Sequence, residues 1–131
     1  MAIKYIATDL NLKSKFDLSE LAKHLLCKDV SPHLNEWVNN KYELRLGGNA
    51  FNNSPSDDIE LYCHKIETLN GTNKERWENC ESRVLDIAFE GGETPNNLTS
   101  LLDEKLILRL SKLKLGLEIT IYQTGLYAHL D

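Results

Sequence analysis

The order in which strand-like and helix-like hydrophobic patterns follow one another most constrains the fold of this chain. Residues 3–12 carry apolar side chains on both parities, which predicts a first, central strand with both faces partly buried. Other segments alternate apolar and polar residues as half-buried strands do; they cover 42–46, 59–63, 83–89 and 117–122. Two other segments place apolar residues at the spacing of an amphipathic helix; they cover 17–25 and 94–113. The sequence therefore predicts a strand, a helix, several strands, a second helix and a closing strand.

Local signals mark where both helices begin and where the second one ends. Asp17 can cap the first helix, and Glu20 stands three residues later as in a capping box. Thr94 followed by Pro95 is typical of a helix N-terminus. Gly116 is placed to end the second helix in a left-handed conformation, which glycine adopts without a steric penalty.

Three segments are less clearly patterned. Residues 32–40 are compatible with a short helical turn or an ordered loop. The stretch 47–58 is rich in Gly, Asn, Ser and Pro, which indicates an exposed, mobile loop. Residues 74–81 fit either a second hairpin arm or a short helix, and the pattern does not choose between them.

These elements predict an α+β fold. We expect a two-layer sandwich, in which a mostly antiparallel sheet carries both helices on one face, as a variant of the ferredoxin-like arrangement. The length of 131 residues suits a single domain over 1–131. An apolar content of 41% and a charged content of 27% favour a packed core over disorder.

Composition also bears on the compartment. The first residues, Met1 to Tyr5, contain no apolar region typical of a secretory signal, and no apolar run approaches the length of a membrane span. The three cysteines are an odd number at wide spacing, which favours reduced thiols over a disulfide framework. We therefore expect a cytoplasmic protein without membrane contact.

No motif in the sequence indicates catalysis. The histidines His24, His33, His64 and His129 show no metal-binding spacing with one another or with cysteine. The paired glycines at 47–48 and 91–92 lack the pattern of a phosphate-binding loop and are explained by strand ends. The sequence thus favours a protein that is not an enzyme and that holds neither a metal ion nor a cofactor.

The negative charge is concentrated in the middle of the chain. Of the formal net charge of −5, the segment 56–93 contributes −6, with ten acids against four bases. Binding of nucleic acid needs clustered Lys and Arg, and so this distribution disfavours it. It favours a protein partner with a basic surface.

An acidic, aromatic-bearing middle segment in a short α+β domain with free cysteines resembles the small bacterial immunity proteins of contact-dependent growth inhibition and related polymorphic toxin systems. The closing portion 113–122 is also similar to the last helix-to-strand join of an uncharacterised family of small bacterial domains. The resemblance implies a cytoplasmic protein that binds a cognate toxin domain tightly, often over its active site, and performs no chemistry. We expect the toxin to be a nuclease, and the free protein to be a monomer.

The sequence places the partner-binding surface where the negative charge accompanies a large aromatic side chain. The predicted contact residues are Asp57, Asp58, Glu60, Glu75, Trp77 and Glu78. Two alternatives stay open. The chain could be a small enzyme or ligand-binding domain with a pocket near 47–58, or a homo-oligomer that pairs through an exposed strand edge.

Overall fold

A computed structural model describes residues 3–25, 31–37, 41–47, 54–92 and 97–123. Five strands and four helices lie in these ranges. In chain order they are β1 (Lys4–Ser14), α1 (Ser19–Leu25), β2 (Ser31–Trp37), β3 (Lys41–Gly47), α2 (Pro55–Glu67), α3 (Gly71–Glu78), β4 (Ser82–Glu90), α4 (Glu104–Lys112) and β5 (Gly116–Tyr122). The predicted α+β class is confirmed.

The strands form one mixed sheet in the order β2-β3-β1-β4-β5. β1 is central and pairs antiparallel with both β3 and β4, while β2 pairs antiparallel with β3. β5 pairs parallel with β4. A parallel neighbour needs a crossover connection, and α4 lies within that connection.

The registers place apolar residues in rows across one face of the sheet. Leu46 lies opposite Leu10, and Leu10 lies opposite Leu85, which pairs with Leu117 of β5. The first three leucines of this row are fully buried. They belong to a single core cluster that also takes in residues of all four helices. Burial of these side chains is the main source of stability for a domain of this size.

The segment 59–63 is helical, and the prediction of a strand there is wrong. Ser54 caps α2 through a reciprocal capping box with Asp57, and Pro55 occupies the first turn. The buried residues of this helix recur at helical spacing; they include Ile59, Tyr62, Cys63 and Ile66. Over the short run 59–63 the two patterns share Ile59 and Cys63; they differ in Leu61, which is exposed in the helix, and Tyr62, which is buried.

The undecided segments now have definite structures. Residues 71–78 form helix α3, so that 74–81 is helical over most of its length rather than a hairpin arm. Ser31–Trp37 is strand β2, and neither a helical turn nor a loop. The predicted loop 47–58 contains the end of β3 and the first turn of α2; its residues 48–53 lie outside the described ranges.

The last helix is shorter than predicted. It begins after Asp103, whose side chain accepts a hydrogen bond from the backbone of Leu106, and residues 97–103 are not helical. The predicted start at 94–95 lies outside the described ranges. The residue with a left-handed backbone near its end is Lys114, with φ of 58°, and not Gly116, which is the first residue of β5.

Candidate partner-binding surface

The residues predicted to contact a partner fall into two groups near opposite ends of α2. Asp57, Asp58 and Glu60 lie in the first two turns of α2. Glu75, Trp77 and Glu78 lie on α3, whose side chains meet the last turn of α2 around a separate cleft. A helix of 13 residues is about 20 Å long at 1.5 Å per residue. The structure therefore does not bring the predicted residues together in one surface.

Within the first group only Asp57 and Glu60 are exposed. Asp58 is buried, and its carboxylate accepts a hydrogen bond from the hydroxyl of Tyr5. Burial and this hydrogen bond to Asp58 raise the pKa of Tyr5 well above its usual range. Asp58 thus joins α2 to the central strand, and it is a structural residue in the free protein.

Within the second group Trp77 is part of the core. Its side chain is only 4% exposed, and its indole Nε1 donates to the backbone oxygen of Leu113 at 3.2 Å. Glu78 is exposed and lies 3.5 Å from the ammonium group of Lys114. Glu75 is exposed on the same helix. The aromatic residue that the sequence suggested as an interface anchor is therefore not on the surface.

Ion pairs across the fold partly neutralise the acidic segment. The guanidinium of Arg109 lies 2.7 Å from Glu67 and 3.6 Å from Glu60. Hydrogen bonding to Arg109 lowers the pKa of Glu67 below its usual value. Glu81 likewise lies within 4.0 Å of Lys15 and 3.7 Å of Lys41. The −6 counted along the sequence consequently does not form one continuous negative field.

An acidic cleft remains between the start of α2 and the start of α4. It has a volume of ≈ 380 Å³. Its lining consists of Ser54, Pro55, Ser56, Glu60, Thr99, Ser100, Leu101, Asp103 and Leu106. Two carboxylates and four hydroxyls thus line the cleft, and its lining contains no basic side chain. Leu101 stands at the cleft with 75% of its surface exposed.

This composition suits a cationic side chain of another protein. The carboxylate of Asp103 attracts positive charge, as does that of Glu60, which Arg109 neutralises only in part at 3.6 Å; the hydroxyls supply hydrogen-bond acceptors. The exposed Leu101 offers apolar area that contact with a partner would remove from water. Of the predicted contact residues, the cleft contains Glu60, and Asp57 lies in the same first turns of α2.

A second cleft of ≈ 270 Å³ lies between the end of α2, α3 and the end of α4. Trp77, Ile66 and Leu69 supply apolar lining. Lysines and glutamates surround it in nearly equal number; they are Lys74, Lys112, Lys114, Glu67 and Glu78. Its mixed charge gives it no clear preference for a basic partner.

The described residues hold no group of three or more His, Cys, Asp and Glu that could bind a metal ion. Cys63 and Cys80 are buried free thiols, and desolvation raises the pKa of each to about 11. Neither thiolate is therefore activated as a nucleophile near neutral pH.

The buried thiols should react slowly with iodoacetamide. In a Cys27→Ser background at pH 8, we expect Cys63 and Cys80 to be alkylated roughly 100-fold more slowly than an ordinary thiol. The rate should rise about tenfold per pH unit and should reach the ordinary value in denaturant. Mass spectrometry of quenched time points measures it. Fast labelling of either thiol in the folded protein would contradict the assigned burial.

The structure shows an exposed apolar strip that the sequence analysis missed. Leu117, Ile119 and Ile121 of β5 lie on the sheet face that carries the buried Leu85 and Ile87, yet Ile119 and Ile121 are 66% and 70% exposed. We call these three residues the β5 strip. Their alternation correctly predicted a strand but could not show that helices leave this edge of the sheet uncovered.

The chain matches no protein-family model, no curated protein and no solved structure. None of the helices in the described ranges is long and apolar enough to cross a membrane. The candidate surface accordingly rests on the geometry and chemistry of this chain alone.

Proposed function

We propose that the chain is a cytoplasmic immunity protein that neutralises a cognate bacterial toxin domain by stoichiometric binding and performs no catalysis. The expected toxin is a nuclease, because a nuclease carries a basic channel for its anionic substrate. The observation that supports this proposal best is the acidic cleft at the start of α2, with the exposed Leu101 at its side.

The proposed contact has a central and a peripheral part. Leu101, Glu60 and Asp103 form the centre, where a cationic side chain of the toxin enters the cleft. Asp57 adds negative charge beside it. Glu78 lines the other cleft and Glu75 is exposed on the same helix; we assign both to long-range attraction of the partner. Asp58 and Trp77 hold the fold instead.

The layer arrangement supports the same surface. We infer a two-layer structure in which the helices cover the sheet face that carries Leu10 and Leu85, since all four helices contribute to that one core cluster. The cleft then lies in the helical layer, at helix ends that present side chains to solvent. The ferredoxin-like variant expected from the sequence is a related two-layer arrangement with fewer helices.

Binding kinetics with the toxin domain encoded by the neighbouring gene test the proposal. Leu101→Ala should speed dissociation about tenfold, as loss of a central apolar contact costs roughly 1–2 kcal/mol. Glu60→Lys should slow association and weaken its salt dependence. Glu75→Lys is the matched control, since it makes the same charge change away from the cleft. Both lysine variants should slow association, but only Glu60→Lys should also speed dissociation, because only Glu60 lies at the proposed centre of the contact.

Two outcomes would overturn the proposal. One is the absence of binding at micromolar concentration together with the absence of protection in cells that produce the toxin. The other is unchanged kinetics for both cleft variants, which would move the contact elsewhere. A third result would favour the alternative of a ligand-binding domain near 47–58. It is a protein that binds no toxin but binds a small molecule in the cleft, and that loses this binding in the Leu101→Asp variant.

A further inference from the structure

The β5 strip interrupts the burial of the sheet at one edge. The row that contains Leu10 and Leu85 ends at Leu117 on β5. The row that contains Thr8 and Ile87 ends at Ile119 on the same strand. The inner members of both rows are buried, whereas both end members are exposed. An apolar strip on an edge strand is typical of a surface that receives another strand.

Hydrogen bonding to β4 fixes which backbone groups face outward. The backbone oxygen of Tyr122 accepts from the amide of Gly91 at 2.9 Å, so the polar groups of Tyr122 point toward β4. Because these groups alternate in direction along a strand, those of Leu117, Ile119 and Ile121 point to the free edge. Nothing in the described ranges pairs with β5 on that side. The strip thus offers apolar side chains and hydrogen-bonding groups on the same three residues.

We propose that a second copy of this chain pairs with β5 antiparallel about a two-fold axis at Ile119. Ile119 then faces Ile119 of the second copy, and each Leu117 faces an Ile121. These are the residues whose backbone groups point outward, so every one of them exchanges both hydrogen bonds with its opposite residue. The two five-stranded sheets become one continuous sheet.

The charge along β5 favours self-pairing in this register. Glu118 is the only charged residue of the strand, and with the axis at Ile119 it faces the neutral Thr120 of the second copy. Moving the axis by one residue to Glu118 would set the two Glu118 carboxylates opposite each other, which is destabilising. On the apolar face every opposed pair is aliphatic, and such pairs stabilise neighbouring strands.

The interface is small, because it consists of one seven-residue strand edge and its strip. Contacts of this size give weak, concentration-dependent dimers. The inference therefore departs from the monomer expected from the sequence, and it does not depend on the proposed toxin. Its test needs only the purified protein.

Cysteine cross-linking tests the register directly. In a Cys27→Ser background, Ile119→Cys should form a disulfide-linked dimer under mild oxidation, as its two copies stand about 5.5 Å apart between Cα atoms, within disulfide range. Leu117→Cys should not, since its two copies lie roughly 13 Å apart along the strands. Leu61→Cys, at an exposed apolar position of α2, controls for random collisions.

Sedimentation equilibrium tests the association without cross-linking. The unmodified protein should approach twice its monomer mass at several hundred micromolar. Ile119→Asp should stay monomeric, because it sets two carboxylates face to face on the axis, whereas Leu61→Asp should still dimerise. A monomer at every concentration, or equal cross-linking of the Ile119→Cys and Leu61→Cys variants, would overturn the inference. Dimers that survive Ile119→Asp would also overturn it.

Discussion

Replacing Trp77 by alanine should lower the free energy of unfolding by about 3–5 kcal/mol, the range found for buried tryptophans. The indole packs in the core beside α1, α2 and α4, and it donates a hydrogen bond to Leu113. Truncation leaves a cavity and an unpaired backbone oxygen. Urea denaturation followed by circular dichroism measures the loss.

Two further variants separate the causes. Trp77→Phe keeps most of the apolar volume but removes the hydrogen bond and part of the ring system, so it should cost less than the alanine variant, about 1–2 kcal/mol. Leu101→Ala, at an exposed site, should change stability by less than about 0.5 kcal/mol. A Trp77→Ala protein of unchanged stability would show that the indole does not belong to the core.

Arg83→Ala should be the second most damaging change, with an expected loss of roughly 2–3 kcal/mol. The guanidinium donates to the backbone oxygens of Trp77, Cys80 and Lys114, at 3.0, 2.8 and 3.2 Å. It thereby joins the end of α3, the turn that follows, and the link between α4 and β5. The alanine variant removes one donor from each of these oxygens, although that of Trp77 still accepts from the amide of Cys80.

Arg83→Lys is the matched comparison, since it keeps the positive charge. A single ammonium cannot reproduce the planar fork of donors, and we expect it to recover less than half of the loss. Thermal unfolding of the two variants side by side gives the difference. Full recovery by lysine would show that charge, and not the hydrogen-bond geometry, accounts for the contribution of Arg83.

Alternation predicted most of the sheet correctly. β3, β4 and β5 lie where their patterns placed them, because each patterned run keeps one parity for at least five residues. β1 carries apolar residues on both parities, and it is the central strand that this pattern predicts. The helix at 59–63 was missed because Ile59 and Cys63 fit both patterns, and the exposed Leu61 completes the alternation of a strand. The signal that could have identified it is Ser54, Pro55 and Asp57, a helix start of the same kind that was recognised at Asp17.

The candidate surface was harder to predict than the sheet. Counting charge along 56–93 treats neighbours in sequence as neighbours in space, whereas Arg109 and Lys114 come from a later helix and its end to pair with Glu60 and Glu78. Trp77 stands among charged residues in the sequence, yet α3 turns its side chain inward. Exposure and pairing of this kind depend on tertiary packing, which no local pattern contains.

The central position of β1 affects how the chain folds as it is synthesised. β1 ends at Ser14, but β4, which pairs with one of its two edges, begins only at Ser82. At roughly 5–20 residues per second, several seconds of translation separate the two strands. During that time β1 has an unsatisfied edge and an uncovered apolar face. The nascent chain therefore passes through a stage in which capture by a chaperone competes with misassociation. Slower translation should lengthen that stage.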